Sequence, residues 1–368
     1  MRILHIIYDD IKNPWCGGGG AYRVLKVNEY LAMENRIVVL TGNYPGAKNE
    51  KISNIKFIRI GLKSSYLLSR ISFTLLIPFY LHKIKSDTIV NEFSFFSPCF
   101  ADIYSRKPVV NVIHHLMGKH SFKLYPVFGL FPFINEKVFL LSAKNIITST
   151  KAIRDYLKNR YPCKNVKNIF NSVSNNLFRL KSTESDFILF LGRIDIYMKG
   201  LDILIEAFSQ IDSQVIKLKI AGSGKSNDIK RLKQLVNNYG LGDRVAILGR
   251  VTESAKFELL RTCLFLVMPS RFEGWGITAV EANAARKPVI GTKIKGLSEA
   301  VVNHETAILV EPENVEQLVS SIVELISDKE KRISMGKQGR EWARRFSWEA
   351  ISSDQYKFYQ SVLGGKQD

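Results

Sequence analysis

A chain of 368 residues is long enough for two domains of ordinary size, each able to bury its own core, and its 46% hydrophobic and 24% charged residues are those of a soluble globular protein. No uninterrupted span of about 20 apolar residues is present, which excludes a simple membrane-spanning helix. The net charge of +19 is unusual and lopsided: residues 1–180 hold 26 Lys and Arg against 10 Asp and Glu, the remainder 27 against 24. That asymmetry points to an anionic partner of the first half, nucleic acid or a membrane surface.

The N-terminus runs straight into a β-like segment, Ile3–Ile7, and reads as lacking a signal peptide, so a cytoplasmic location is the expectation. A long loop follows, Tyr8 to Gly20, ending in four glycines. A helix with apolar Val24, Leu25 and Leu31 leads to a second strand, Ile37–Leu40. This is a βαβ opening whose glycine-rich turn lets a ligand approach backbone N–H groups at Gly18 and Gly19. The match to G-x-G-x-x-G is poor, and the second strand ends in Thr41-Gly42 where a dinucleotide fold has a ribose-binding acid. No NAD site is read here. Asp9 and Asp10 lack a third acid nearby for a metal and read as solvated loop acids. The cysteines (Cys16, Cys99, Cys163, Cys263) are scattered, which argues against a zinc site or a disulfide framework and fits a reducing compartment.

Residues 62–85 are apolar, aromatic and basic at both ends, and Arg70 and Pro78 argue against a spanning helix. Residues 122–141, with Phe122, Tyr125, Phe128, Phe131, Phe133 and Phe139 among lysines and prolines, repeat that character. Both have the profile of a surface dipping into an anionic bilayer interface. The alternative is core packing against the N-terminal sheet. No RNA-binding motif accompanies the basic stretches. Between them a strand, Val109–Ile113, ends in His114-His115, where open α/β sheets place ligands. Strands Asn145–Thr148 and Val166–Phe170 lead to the polar run Asn171–Asn176, which with Lys181–Asp186 is the linker candidate.

The second half alternates regularly. Strand Phe187–Leu191 is followed by a loop through Gly192, Arg193 and Lys199 to Gly200, then by a helix with Leu201, Leu204, Ile205 and Phe208 on one face. Strand Val215–Ile220 closes in Ala221-Gly-Ser-Gly224, and a basic helix runs to Tyr239. Strands at Val245–Leu248, Val289–Ile290 and Ile308–Val310 continue the pattern, and helices close the chain. This is a doubly wound parallel sheet. Its most informative stretch is Ser270-Arg-Phe-Glu-Gly-Trp-Gly-Ile-Thr-Ala-Val-Glu-Ala-Asn-Ala284. The buried strand Cys263–Met268 precedes it, Gly274 and Gly276 make a tight turn, and a helix starts near Ile277. Strand, glycines and helix start together form a phosphate receptor. Glu273 and Glu281 suit sugar hydroxyls, since each carboxylate accepts two or more O–H donors; one solvated acid and one helix acid is the plainer reading.

In this order, Gly17–Gly20, His114, Asn171, Arg193 with Lys199, Gly222-Ser-Gly224, the glutamates at 273 and 281, and Ser347-Trp348-Glu349 resemble the retaining glycosyltransferases of family 4, most strongly over 187–311. The resemblance implies the GT-B fold, with two Rossmann-like doubly wound domains facing each other across a cleft. Residues 1–175 would bind the acceptor and 176–346 a UDP- or GDP-linked sugar, while the helix from 347 to 368 packs back on the first domain. Arg193 and Lys199 would clamp the diphosphate, with the N–H groups of Gly276 and Ile277 adding the helix end, and Gly18, Gly19, Gly222, Gly224 and Gly274 would also bind the donor. Glu273 would hold hydroxyls of the transferred sugar, Glu281 the ribose, loop residues near Arg250 would face the base, and His114 would touch sugar or acceptor. Ser172 and His115 depart from the family pattern, as does the long first loop.

The implied activity moves a hexose or related sugar to a glycan or lipid-linked acceptor, needs no metal or other cofactor, and serves cell-surface glycan or glycolipid synthesis from the inner face of the membrane. A GT-B epimerase or phosphorylase is one rival; the phosphorylase calls for a longer chain and a pyridoxal lysine. A non-catalytic membrane or RNA binder with a basic face is the other.

Overall fold

Apolar runs too short for helices, such as Val109–Ile113 and Phe187–Leu191, are buried along their whole length and become strands of parallel sheets. The computed structural model describes residues 1–16, 18–118, 121–124, 128–162 and 164–364, so the readings placed on Gly17, Tyr125 and Cys163 lie outside it. The chain forms two units: residues 1–171 together with the helix from Trp348, and Ser172–Ser347.

In the first unit, eight strands form one sheet: β1 (Arg2–Ile6), β2 (Arg36–Gly42), β3 (Glu50–Ile52), β4 (Ile55–Ile60), β5 (Thr88–Glu92), β6 (Val109–Ile113), β7 (Asn145–Thr148) and β8 (Asn165–Asn168). Their order is β3-β4-β2-β1-β5-β6-β7-β8, parallel except for the short hairpin β3–β4. Side chains alternate between the faces. Ile3, Val39, Val90 and Val110 pack under the helices Gly19–Leu31 and Trp348–Gly364. Leu4, Leu40 and Ile89 pack under Tyr66–Lys83, and Ile113 and Ile146 under Leu130–Ser142, on the opposite face.

The second unit has β9 (Phe187–Leu191), β10 (Lys217–Ala221), β11 (Val245–Gly249), β12 (Leu266–Met268), β13 (Val289–Thr292) and β14 (Ala307–Val310), all parallel, in the order β11-β10-β9-β12-β13-β14. Ile188 and Phe190 meet the helices Leu201–Ser209 and Val315–Ser327 in its core. The order reverses at β1/β5 in one sheet and at β9/β12 in the other, and open α/β sheets bind ligands at the carboxyl ends of such strands.

Three readings change. Asp10 is not a solvated loop acid: its carboxylate is 1% exposed, 2.7 Å from Arg59 Nε, and accepts from Thr41 Oγ1 at 3.1 Å. β4 delivers that arginine from far along the chain. The stretch Lys181–Asp186 is no free linker, because Thr183 and Ser185 N–H groups donate to the carbonyls of Arg261 and Thr262. The loop after β9 contains a helical turn, Ile196–Lys199, capped by the Asp195 carboxylate on Met198 N–H at 2.9 Å. Residues 66–83 form one helix that includes Pro78, and no helix among the described residues is long and apolar enough to cross a membrane.

Candidate active site

Because β9 and β12 are neighbours, the segments leaving their carboxyl ends meet. Arg193 follows β9, and Ser270–Gly276 follows β12. Arg271 N–H donates to Met198 O at 3.1 Å and ties the two segments together. Its guanidinium is gripped by Asp202 at 2.8 and 3.0 Å and by Glu313 at 2.7 Å, and it stacks over the Tyr197 ring at 4.6 Å. The hydrogen bonds to Asp202 drive its pKa above the ordinary arginine value, so this cation is committed to holding the loop. Gly276, at φ +77°, turns the chain into the helix Ile277–Ala284; a Cβ there would lie 2.7 Å from Leu297 Cδ1. The first N–H groups of a helix have no partner within it, and the positive dipole end adds to them.

Lys199 Nζ lies 2.5 Å from Glu273 Oε1, and both side chains are mostly buried. With Arg193, Arg271, Gly274 and Lys295 they line a cavity of about 380 Å³. A smaller one of about 150 Å³ adjoins it through Arg193, Lys199 and Glu273 and extends to Ser270, Ile277 and Thr278. Arg193 and Lys295 are exposed and have no ionic partner among the described residues. The lining is therefore cationic in excess and can receive an anion, while Glu273 can accept hydroxyl donors. One helical turn beyond Ile277, Glu281 is 9% exposed and its Oε1 lies 2.6 Å from Lys256 Nζ.

The first unit carries a second cluster at its own strand ends. The buried Glu92 carboxylate, closing β5, lies 2.7 Å from His114 Nε2, 3.1 Å from His5 Nε2 and 3.4 Å from Arg23 Nη1. Gln355 Oε1 accepts from Arg23 at 2.8 Å. Burial alone would raise the Glu92 pKa; His114, His5 and Arg23 outweigh it and hold the carboxyl below its usual range. Burial raises Asp9 against the pull of Arg70, and pushes the Cys16 thiol up to about 12, which keeps that thiol protonated. Burial, with His114 beside it, lowers the His115 pKa.

Residues 175–342 match the model of the family described as glycosyl transferases group 1. Over 367 residues the chain is 29% identical to an uncharacterised glycosyltransferase of Methanocaldococcus jannaschii, covering 98% of this chain and 99% of that one. The chain is a glycosyltransferase. Two solved structures share its fold over nearly the whole length: sucrose-phosphate synthase from Thermosynechococcus elongatus (TM-score 0.78, 21% identity, 100% of both chains) and Anabaena HepE in complex with UDP (TM-score 0.74, 19% identity, 98% and 100%).

Of the positions singled out in this glycosyltransferase, Arg193, Lys199, Glu273, Gly274 and Ile277 come together around the two cavities, and Gly276 shapes the turn between them. Gly222 and Gly224 line neither cavity; a Cβ would sit 1.6 Å from Gly192 O and 2.3 Å from Ile194 O respectively, so close packing of the β10 loop on the β9 loop demands both. Arg250 is exposed after β11, with Lys256 in the helix Glu253–Thr262 beyond it. Gly18 caps the helix that Gly19 opens, with nothing within 4 Å of a Cβ at either position. Lys295, Lys256, Arg271 and Glu92 escape the sequence reading. The partners of Lys256, Arg271 and Glu92 are distant in the chain, and Lys295 has no ionic partner among the described residues to mark it.

Proposed function

We propose that this enzyme is a retaining glycosyltransferase of family 4 that moves a hexose or related sugar from a nucleotide sugar to a glycan or lipid-linked acceptor in cell-surface glycan or glycolipid synthesis. The observation that carries the reading is the cavity at the β9/β12 strand ends, where Arg193, Lys199 and Lys295 outnumber the carboxylates beside a helix N-terminus. Negative charge on the leaving diphosphate grows in the transition state, and cations already fixed in place stabilise it without reorganising. Lys199 exchanges the Glu273 carboxylate for a phosphate oxygen, which leaves Glu273 to accept hydroxyls of the transferred sugar. Glu281, steadied by Lys256, accepts the ribose hydroxyls, and Arg250 faces the base. In the first unit, His114, held by Glu92, is the residue we assign to the sugar or the acceptor.

Attack on the same face as the departing diphosphate, with retention and no metal, completes the proposal. Support for a UDP-linked donor comes from Anabaena HepE, solved with UDP and with UDP-glucose; a GDP-linked donor is the alternative. We place the enzyme at the inner face of an anionic membrane, drawn there by its basic first half. Protection against thermal unfolding by a panel of UDP-, GDP- and ADP-sugars selects the donor. Transfer from that donor should then collapse in Lys199→Ala, and transfer at the wild-type rate would refute the site.

A further inference from the structure

The helix Tyr66–Lys83 has two apolar faces. Ser69, Phe73, Ile77 and Leu81, spaced four apart, are buried against the sheet. Leu67, Ile71, Leu75 and Phe79, also four apart but offset by two positions, stand on the opposite side of the helix, each between 48% and 74% exposed. A helix that is apolar all round is ordinarily buried all round, and this one is not. From Leu67 to Phe79 the exposed stripe runs for about 18 Å.

The stripe does not end with that helix. Leu130–Ser142 covers the same face of the first sheet, and its Phe131, Ile134 and Leu141 are 52%, 47% and 73% exposed. The segment between β5 and β6 bridges the two helices: Arg70 donates to Ser97 Oγ at 3.2 Å, Phe96 stacks on Phe131 at 6.5 Å, and Asn135 donates to Phe95 O at 2.9 Å.

Charge identifies what covers this surface. From Gly61 to Lys85 the sequence has no acidic residue. In Leu130–Ser142 the only acid, Glu136, is buried and accepts from the N–H groups of Met117 and Gly118. Lys83, Lys85, Lys137 and Lys144 are exposed beside the apolar residues, and Lys83 and Lys137 lie over the Phe79 and Phe133 rings. Exposed aliphatic and aromatic side chains bordered by lysines, with no exposed acid in either helix, match an anionic bilayer interface, where chains enter the acyl boundary and ammonium groups stay with the headgroups. A second copy of the same surface would oppose lysine to lysine.

We propose that Tyr66–Lys83 lies in the plane of an anionic membrane with Leu67, Ile71, Leu75 and Phe79 inserted below the headgroups, and that Leu130–Ser142 extends the contact through Phe131 and Leu141. This rests on the membrane placement given above and deepens it by naming the helix face that is inserted. Insertion makes attachment partly resistant to salt, because burial of apolar surface is not screened as charge attraction is.

Co-sedimentation of the full chain with vesicles tests the proposal, without nucleotide or acceptor. Wild type should bind vesicles of phosphatidylcholine with phosphatidylglycerol, bind vesicles of phosphatidylcholine alone more weakly, and retain part of its binding in high salt. Leu75→Asp should weaken partition roughly tenfold or more, with Phe79→Asp adding to it, because each removes one large side chain from the inserted face. Lys83→Glu combined with Lys85→Glu should weaken binding chiefly at low salt. Val323→Asp, an exposed apolar position of the second unit, should behave as wild type. An unchanged melting temperature, with the same protection by nucleotide, shows that each variant is folded. Wild-type protein that ignores anionic vesicles at low salt, or Leu75→Asp that binds them unchanged, overturns the proposal. So does a wild-type dimer that Leu75→Asp converts to monomer, since a second copy would then be the occupant. Vesicle binding without any nucleotide-sugar transfer would leave this inference standing and refute the donor site instead.

Discussion

The two units of this glycosyltransferase place their charges differently. In the first, Glu92 with His5 and Arg23, and Asp10 with Arg59, sit inside the protein with side chains no more than 6% exposed. In the second, Lys199 with Glu273 and Lys256 with Glu281 stand beyond the strand ends, partly open to solvent. Breaking a buried group leaves a charge stranded where nothing solvates it, so such groups keep their partners. A pair that solvent still reaches is worth less than a buried one and can trade a carboxylate for a phosphate. Depth thus separates charges that hold a fold from charges kept for a ligand.

The strongest way to break that contrast is Glu92→Leu. It strands Arg23 and should destabilise the protein by about 3–5 kcal/mol in urea unfolding; a loss below about 1 kcal/mol would remove the structural half of the comparison. The milder Glu92→Gln gives a pH signature. The folded carboxyl is held below its usual range, so its contribution is complete above the unfolded value near 4.3 and is lost as pH falls below it. The stability gap between wild type and Glu92→Gln should therefore narrow on acidification.

Lys199→Ala probes the other half. Turnover should fall by about 10²–10³-fold, while stability should fall by less than in Glu92→Leu, because solvent still reaches this pair. Gly222→Ala sharpens the division within the second unit. With φ at +153° and a Cβ 1.6 Å from Gly192 O, it should cost roughly 2–4 kcal/mol in thermal or urea unfolding, which marks Gly222 as a packing residue. The smallest effect belongs to Arg271→Ala. Loss of its grip on Asp202 and Glu313 should cost about 1 kcal/mol of stability and raise the KM for donor more than it lowers kcat, because the loop bearing Glu273 is loosened.

The same contrast explains what the sequence disclosed. In the second unit, the apolar strands β9 and β12, followed by Gly192 and Pro269, announce themselves, and the position of Arg193, Lys199 and Glu273 beyond those strand ends follows from the alternation. In the first unit, β4 reads Ile-Lys-Phe-Ile-Arg-Ile and β5 reads Thr-Ile-Val-Asn-Glu, and both pass unnoticed. Their polar residues are there because Arg59, Asn91 and Glu92 find partners inside the protein in Asp10, Asn111 and His5. Those partners lie 20 to 87 residues away, and no window of sequence joins them. Asp10 looks like a loop acid in the sequence for the same reason, its partner Arg59 lying 49 residues on.

Calorimetric titration of the selected nucleoside diphosphate into wild type and into the Arg193→Ala, Lys199→Ala double variant tests the central claim most directly. The account expects saturable binding to wild type and affinity lowered by roughly a hundredfold in the double variant, two charge-assisted contacts having been removed. Equal affinity in the two proteins, or no binding of any nucleoside diphosphate to wild type, would contradict it.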